Sequence, residues 1–257
     1  MANRKRVYEL RARDYLKDKA MKKYLLIIPF LFHSCDLLFD QGVHETYTFF
    51  SRSISNISQV EVYYPDSYTS STPVIYLLNG WNTEADAWGS GIDLEEEAKE
   101  REIMFVSLTA GAHTYTNDPV DVNEQYQDYV LEVVQKVEKN YDIDIDLNRR
   151  AICGISNGGG GAIFILSEHP DKFAACGVLS GTYYSATSKF TNLVDRDIRI
   201  DVGTSDGVLS EMRFLRNKLN ENDLEFEYYE HPGGHNWTFW EKWCPEQFDF
   251  LESVISG

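Results

Sequence analysis

The stretch that decides the fold is Arg150-Ala151-Ile152-Cys153-Gly154-Ile155-Ser156-Asn157-Gly158-Gly159-Gly160-Gly161. It predicts a short apolar strand, a sharp turn and the start of a helix. Gly154, Ser156 and Gly158 form a G-x-S-x-G motif, which places a nucleophilic serine at the tip of a strained strand-to-helix turn. The apolar residues that follow, 162–166, predict that the helix continues and is buried. Its N-terminal N–H groups then point at the serine and favour negative charge there.

Strands and helices alternate along the chain on both sides of this motif. Apolar runs and alternating patterns predict eight strands, and 3.6-residue periodicity predicts helices between the later ones. Such alternation indicates right-handed crossovers between parallel strands. We therefore predict an α/β fold with a mostly parallel eight-stranded sheet flanked by helices. No long insertion follows the strand predicted at 174–179, so we expect no large lid.

Length and charge limit the classes of function. A chain of 257 residues that is 43% hydrophobic is long enough for one substantial core. The net charge is −17, but residues 1–35 carry +6, so the remainder carries −23. A body this acidic argues against nucleic acid or an anionic membrane as its ligand. We expect residues 36–257 to form a single catalytic domain.

Residues 21–35 resemble a bacterial secretory signal. A basic start, Met21-Lys22-Lys23, precedes an apolar run too short to span a bilayer, and Ser34 stands before Cys35. The layout is similar to a lipoprotein signal in which Cys35 is lipidated, although Phe32 and His33 fit that pattern poorly. We expect a secreted or cell-envelope protein whose only membrane contact is a lipid anchor. The alternative is an amphipathic N-terminal helix that stays attached.

The remaining cysteines, Cys153, Cys176 and Cys244, predict no metal site. None stands in a C-x-x-C pair or at a Cys/His ligand spacing, so we expect neither a metal nor another cofactor. Cys153 and Cys176 each lie in an apolar strand, where a thiol usually behaves as a small hydrophobic group. A bridge between them stays open as an alternative if their strands are neighbours.

An elbow serine is inert without a base and a carboxylate to orient that base. Asp206 follows the strand at 198–202 and is favoured over Asp201, which lies within the strand. His235 follows the last strand, and two preceding glycines allow its backbone to swing toward the serine. The alternative, His231, is held by the strand and by Pro232. The predicted catalytic residues are therefore Ser156, Asp206 and His235.

A tetrahedral intermediate also needs backbone donors for its oxyanion. The N–H of Asn157, directly after the nucleophile, is the first candidate. The second is the N–H of Trp81, in the loop Leu78-Asn79-Gly80-Trp81 after the third strand. Both contacts are made by the backbone, so they do not depend on the side chains at these positions.

Together these motifs resemble the esterase-D-like family of α/β-hydrolases over about residues 45 to 255. The family includes feruloyl and acetyl xylan esterases, S-formylglutathione hydrolases, siderophore esterases and mycolyltransferases. The resemblance implies Ser156, Asp206 and His235 as the triad. It rests on Tyr76-Leu77-Leu78-Asn79-Gly80, on residues 150–159, on His169-Pro170-Asp171-Lys172-Phe173-Ala174-Ala175, on Gly203-Thr204-Ser205-Asp206, and on Pro232-Gly233-Gly234-His235-Asn236-Trp237.

Two positions depart from the family pattern: Asn79 stands where the family usually has His, and Asn157 where it often has Met. Neither change removes a catalytic group. Aromatic residues on predicted loops are expected to rim the pocket, where flat rings suit a sugar or a feruloyl group. The candidates for substrate contact beyond Trp81 are Trp88, Tyr115, Tyr183, Tyr184 and Trp237.

The sequence thus predicts a serine esterase that removes feruloyl or acetyl groups from plant cell-wall polysaccharide. Within the same family, hydrolysis of siderophore esters, acyl transfer and S-formylglutathione hydrolysis are the alternatives. A non-catalytic carbohydrate-binding relative is disfavoured, because no triad member is missing. The expected partner is a polysaccharide-linked or small-molecule ester, and not a nucleic acid.

Overall fold

The computed structural model describes residues 43–257. The signal-like segment and the lipidation candidate Cys35 lie outside the described residues. Eight strands are present in this part of the chain, as predicted. They are β1 (Val43–Ser51), β2 (Asn56–Tyr64), β3 (Val74–Leu78), β4 (Met104–Leu108), β5 (Arg150–Ile155), β6 (Ala175–Leu179), β7 (Asp197–Gly203) and β8 (Glu227–His231).

Helices connect the later strands. They are α1 (Ala87–Gly91), α2 (Leu94–Arg101), α3 (Tyr126–Asn140), α4 (Asn157–Glu168), α5 (Leu209–Glu221) and α6 (Trp237–Ile255), with short 3₁₀ turns at Leu147–Arg149 and Phe190–Leu193. None of the helices within residues 43–257 is long and apolar enough to cross a membrane.

The 3.6-residue apolar pattern of the sequence predicts a helix over residues 121–140, but α3 starts later. The helix begins at Tyr126. Ahead of it, Asp118 Oδ1 accepts hydrogen bonds from the N–H groups of Val120, at 2.7 Å, and Asp121, at 2.8 Å. Aspartate competes in this way for backbone donors that a helix would otherwise use. The segment therefore folds as turns.

The sheet has the order β1-β2-β4-β3-β5-β6-β7-β8. β1 and β2 run antiparallel to each other, and β2 runs antiparallel to β4. The other neighbours are parallel. This confirms the predicted mostly parallel sheet. In such a sheet the carboxyl ends of the parallel strands share one edge, and ligands bind beyond that edge.

Apolar side chains cover both faces of the sheet. One face packs against α3, α4 and α5. The other packs against α1, α2 and α6. The five-residue strands β3, β4 and β6 are buried at every position, as strands covered on both faces should be.

The strand register explains why Cys153 and Cys176 form no disulfide. Cys153 lies opposite Gly177, and Cys176 lies opposite Ile152. Successive side chains in a strand point to opposite faces, so the two thiols lie on different sides of the sheet. Each packs into a different core cluster, and both cysteines are free.

Candidate active site

Ser156 lies between β5 and α4 in a backbone conformation that few residues other than glycine adopt, with φ 53° and ψ −120°. The glycines of the motif make this turn sterically feasible. A Cβ on Gly154 would overlap the carbonyl group of Gly158, and a Cβ on Gly158 would overlap that of Leu78. The strain at Ser156 is therefore held by close backbone contacts on both sides, as is common at functional sites.

The structure brings Ser156, His235 and Asp206 into one hydrogen-bonded line. His235 Nε2 lies 2.8 Å from Ser156 Oγ. On the other side of the ring, Nδ1 lies 3.0 and 3.2 Å from the two oxygens of Asp206. A proton on Nδ1 directed at the carboxylate leaves Nε2 free to accept the serine proton.

Burial differs along this line. The Asp206 side chain is fully buried, whereas the His235 side chain is 33% exposed. The carboxylate also accepts a hydrogen bond from the backbone N–H of Val208 at 2.9 Å. The acid is thus fixed inside the protein, while the imidazole and the serine face the surface where a substrate arrives.

Two loops carry the acid and the base, and backbone hydrogen bonds join them. The N–H of Thr204 donates to the carbonyl of His231 at 2.7 Å, and the N–H of Ser205 donates to that of Gly233 at 2.8 Å. Gly233 has φ +147°, a conformation that other residues rarely adopt. The loop after β7 therefore sets the path of the loop after β8, and with it the position of His235.

The two alternatives weighed from the sequence, Asp201 and His231, pair with each other. His231 Nε2 lies 2.7 Å from Asp201 Oδ1. Asp201 is fully buried and also accepts from Arg199 Nε at 2.8 Å and from Gln247 Nε2 at 2.6 Å. With its acceptor sites occupied in this way, Asp201 belongs to a separate network.

The loop predicted to supply an oxyanion donor lies against the serine. A Cβ built on Gly80 would lie 3.7 Å from Ser156 Cβ. Neither the N–H of Trp81 nor that of Asn157 donates to an acceptor among residues 43–257. Both groups are thus unengaged beside the nucleophile, as donors to an incoming oxyanion must be.

Of the aromatic side chains expected at the rim, the structure places three elsewhere. Trp88 and Tyr115 are fully buried, and Tyr184 is 8% exposed. Trp88 donates its indole N–H to the carbonyl of Leu78 at 3.2 Å. The expectation that these three rings lie at the rim of the pocket was wrong, because they pack inside the protein.

The other three aromatic candidates keep some exposed surface. Trp81 is 54% exposed, and it directly follows the glycine that faces Ser156. Tyr183 and Trp237 are partly buried. Tyr183 lies edge-on to Phe214, and Trp237 lies edge-on to Trp240. The structure therefore leaves Trp81 with the largest surface for a substrate among the predicted rings.

Sequence reasoning missed how the side chain of Asn157 is held. Its Nδ2 donates to the carbonyl of His113 at 3.0 Å, and its Oδ1 accepts from the hydroxyl of Tyr184 at 2.6 Å. One signal was available in the sequence. Three glycines beyond Gly158, at positions 159–161, are not required by the motif, and Gly160 lies against Tyr184, whose hydroxyl contacts Asn157.

A sequence model of the esterase family, described as "Putative esterase", matches residues 51–250. This chain belongs to that family. The family membership makes the chain a carboxylic ester hydrolase with the α/β-hydrolase fold. The residues that carry the resemblance, from the β3 loop to the loop after β8, all fall within the matched region.

Two curated relatives are esterases by name. The "Acetyl esterase" of Caldicellulosiruptor saccharolyticus is 22% identical over 222 residues, covering 70% of this chain and 83% of that protein. The "Endo-1,4-beta-xylanase/feruloyl esterase" of Xylanibacter ruminicola is 26% identical over 164 residues, covering 56% of this chain and 22% of that protein. The chain thus matches only about a fifth of the length of the second relative.

A solved structure shows the same fold. The ferulic acid esterase of Anaeromyces mucronatus, crystallised in complex with ferulic acid, superimposes with a TM-score of 0.70 at 17% identity. The match covers 90% of this chain and 98% of that one.

Proposed function

We propose that this esterase hydrolyses its substrate with Ser156 as nucleophile, His235 as general base and acid, and Asp206 as the group that orients the imidazole. The observation that carries the proposal is the hydrogen-bonded line from Ser156 Oγ through His235 to the buried Asp206 carboxylate. A serine hydroxyl is a weak nucleophile, and a positioned imidazole activates it by accepting its proton.

In the first half of the reaction, Ser156 Oγ attacks the ester carbonyl and His235 Nε2 takes the hydroxyl proton. Negative charge moves to the carbonyl oxygen, which accepts hydrogen bonds from the N–H groups of Trp81 and Asn157. His235 then gives the proton to the leaving alcohol oxygen as the ester bond breaks. The products of this half are the free alcohol and an acyl group on Ser156.

In the second half, a water molecule replaces the alcohol. His235 takes a proton from the water, and the resulting hydroxide attacks the acyl carbonyl. Collapse of the second tetrahedral intermediate returns the proton to Ser156 and releases the carboxylic acid. Asp206 stays ionised throughout and stabilises the imidazolium that forms twice in the cycle.

We propose feruloyl or acetyl groups on plant cell-wall polysaccharide as the substrates. Two observations support this: the names of the curated relatives, an acetyl esterase and a xylanase/feruloyl esterase, and the partial exposure of the candidate nucleophile and base. A partly exposed pair can meet an ester that is attached to a long chain. The exposed ring of Trp81, the residue after the glycine that faces Ser156, offers a flat surface for a sugar or a feruloyl group.

Replacement of Ser156 tests the mechanism. Ser156→Ala should lower kcat for p-nitrophenyl acetate on the order of 10⁴- to 10⁶-fold, as removal of a nucleophile does in serine proteases. Ser205→Ala is the matched control, because Ser205 is an exposed serine in the loop that leads to Asp206. Residual hydrolysis by Ser156→Ala within tenfold of the wild-type rate would reject the proposed nucleophile.

A substrate panel tests the proposed specificity separately. Methyl ferulate, acetylated xylan, S-formylglutathione and a siderophore ester should be compared by kcat/KM, with a sugar acceptor added to detect acyl transfer. We expect the first two to be the best substrates and water to be the main acyl acceptor. A preference for either of the other two, or for transfer, would assign the protein to another branch of the family.

We also propose that the protein is exported and anchored through a lipid on Cys35. The support is the basic-apolar pattern of residues 21–35 in the sequence. Mass spectrometry of the protein from the producing cells should find an N-terminus at Cys35 that carries a diacylglyceryl group. An unmodified chain that retains residues 1–35 would contradict the proposal.

A further inference from the structure

The first turn of α4 is built from four consecutive glycines, Gly158–Gly161. Glycine weakens a helix, and the nucleophile motif requires only the first of the four. Gly159 and Gly160 lie close to the backbone of Gly181 and Thr182, and Gly160 and Gly161 also leave room for two aromatic rings. A Cβ on Gly160 would lie 2.9 Å from Cε1 of Tyr184, and a Cβ on Gly161 would lie 2.5 Å from Cδ2 of Tyr115. The glycines therefore form a groove in which these two tyrosines lie.

Tyr184 contacts the residue that carries one of the proposed oxyanion donors. Its hydroxyl lies 2.6 Å from Oδ1 and 2.8 Å from the backbone carbonyl of Asn157. Burial raises the pKa of the Tyr184 hydroxyl, so the group remains a neutral donor. The other side of the Asn157 amide donates to the carbonyl of His113. Asn157 is thus held from both sides.

Tyr115 contacts the loop that carries the other proposed donor. Its hydroxyl donates to the carbonyl of Asn79 at 3.0 Å. Asn79 itself is fully buried, and its side-chain Nδ2 donates to Ser107 Oγ at 2.9 Å and to the carbonyl of Leu108 at 3.0 Å. Buried hydrogen bonds therefore fix Asn79, two residues before Trp81, in position.

One hydrogen bond joins these two halves. The backbone N–H of Tyr115 donates to the hydroxyl oxygen of Tyr184 at 3.3 Å. A continuous series of hydrogen bonds thus runs from Asn79 through Tyr115 and Tyr184 to Asn157. It links the loop before Trp81 to the start of α4, the two elements that supply the donors.

We infer that Tyr115 and Tyr184 are positioning residues that fix the distance between the N–H groups of Trp81 and Asn157. The inference rests on the proposed function, because it assigns those N–H groups to the oxyanion. Preorganised donors stabilise a transition state more strongly than donors that must move into place. The tyrosines therefore act on the tetrahedral species and leave binding of the planar ester nearly unchanged.

Tyr184→Phe tests this inference, since it deletes one hydroxyl and keeps the ring in the glycine groove. We expect kcat for p-nitrophenyl acetate to fall on the order of 10-fold with KM nearly unchanged, a part of the 10²- to 10³-fold loss caused by removal of a whole oxyanion donor. A boronic acid that forms a tetrahedral adduct with Ser156 should lose affinity by the same factor. Binding of the carboxylic acid product should not change.

Tyr129→Phe is the matched control. It also deletes a buried tyrosine hydroxyl, which lies 2.6 Å from Ser58 Oγ, and it should leave kcat and boronic acid affinity at the wild-type values. Asn157→Ala is a second route, because it removes the partner of Tyr184. If the inference is correct, the double variant with Tyr184→Phe loses less activity than the product of the two single losses.

Unchanged kcat and boronic acid affinity in folded Tyr184→Phe would overturn the inference, as would an equal loss in Tyr129→Phe. Both outcomes differ from failure of the proposed function, in which the Ser156→Ala variant keeps an activity close to that of the wild type.

Discussion

Two aspartate–histidine pairs lie at the same edge of the sheet, and only one of them reaches a serine. Asp206 and His235 are on the loops that follow β7 and β8, and His235 is also hydrogen-bonded to Ser156. Asp201 and His231 are on the two strands themselves, 2.7 Å apart. The difference teaches that an acid and a base at hydrogen-bond distance do not make a catalytic site. A reactive partner and access from solvent are also needed.

The Asp201–His231 pair has more hydrogen-bond partners and less exposure than the Asp206–His235 pair, as a structural unit should. Asp201 accepts from Arg199 and Gln247 as well as from His231, and its side chain has no exposed surface. The ring of His231 stacks on Trp243 with centroids 3.5 Å apart, and its side chain is 14% exposed. By contrast, His235 is 33% exposed. We propose that the first pair transfers a proton, whereas the second pair connects β7, β8 and α6.

Separate replacement of the two histidines by alanine gives the largest expected difference in kcat. His235→Ala should lower kcat for p-nitrophenyl acetate on the order of 10⁴- to 10⁶-fold, because Ser156 loses its base. His231→Ala should lower kcat by less than about 10-fold, since its ring does not contact Ser156. Steady-state kinetics of the two purified variants measure both effects. Equal losses would show that the pairs act as one unit.

The two aspartates should separate activity from stability. Asp206→Asn should lower kcat on the order of 10³- to 10⁴-fold, because an amide donates to the imidazole and favours the wrong tautomer. Asp201→Asn should lower the free energy of unfolding by about 3 kcal/mol, because it breaks a buried ion pair with Arg199.

Urea unfolding followed by tryptophan fluorescence measures the stability of Asp201→Asn, and the p-nitrophenyl acetate assay measures the kcat of Asp206→Asn. The comparison fails if Asp201→Asn loses activity while its free energy of unfolding stays at the wild-type value. It also fails if Asp206→Asn keeps more than a tenth of the wild-type kcat.

The smallest expected effect concerns Glu230, the residue before His231. Hydrogen bonds from Arg213 lower its pKa to about 2 from the ordinary value of 4.5. A lowered carboxylate pKa stabilises the fold fully above pH 4.5, and this contribution is lost as the pH falls toward 2. Because the Arg213 side chain is 50% exposed, solvent screening limits the contribution to about 0.5 kcal/mol.

Glu230→Gln should therefore be slightly less stable than wild type at pH 6 and equal to it near pH 2. Urea unfolding at both pH values measures the difference. A stability difference that grew on acidification would have the wrong sign for an ion pair and would contradict this assignment. The exposed pair beside His231 would thus contribute far less than the buried Arg199–Asp201 pair on the neighbouring strand.

Much of the fold could be predicted from the sequence because its signals are local. Buried strands are continuous apolar runs, such as 74–78, and the elbow requires glycines on both sides of Ser156. Asp206 was preferred over Asp201 because it follows its strand, and the structure places it beside His235.

Other features depended on tertiary contacts that a single sequence does not reveal. Trp88 and Tyr115 were expected at the surface because they lie between predicted elements, yet both are fully buried. Aromatic rings suit a core as well as a binding site, so residue type could not decide between them. The relation of Cys153 to Cys176 required the register of β5 against β6, which residue pattern alone does not fix.

The most direct test of the central claim is to map covalent labelling by a fluorophosphonate. We predict that the wild-type protein gains one phosphonyl group, with loss of fluoride, on the peptide that contains Ser156. His235→Ala should label far more slowly, whereas His231→Ala should label at nearly the wild-type rate. A label on a different serine, or equal labelling rates in the two histidine variants, would contradict the proposed roles of Ser156 and His235.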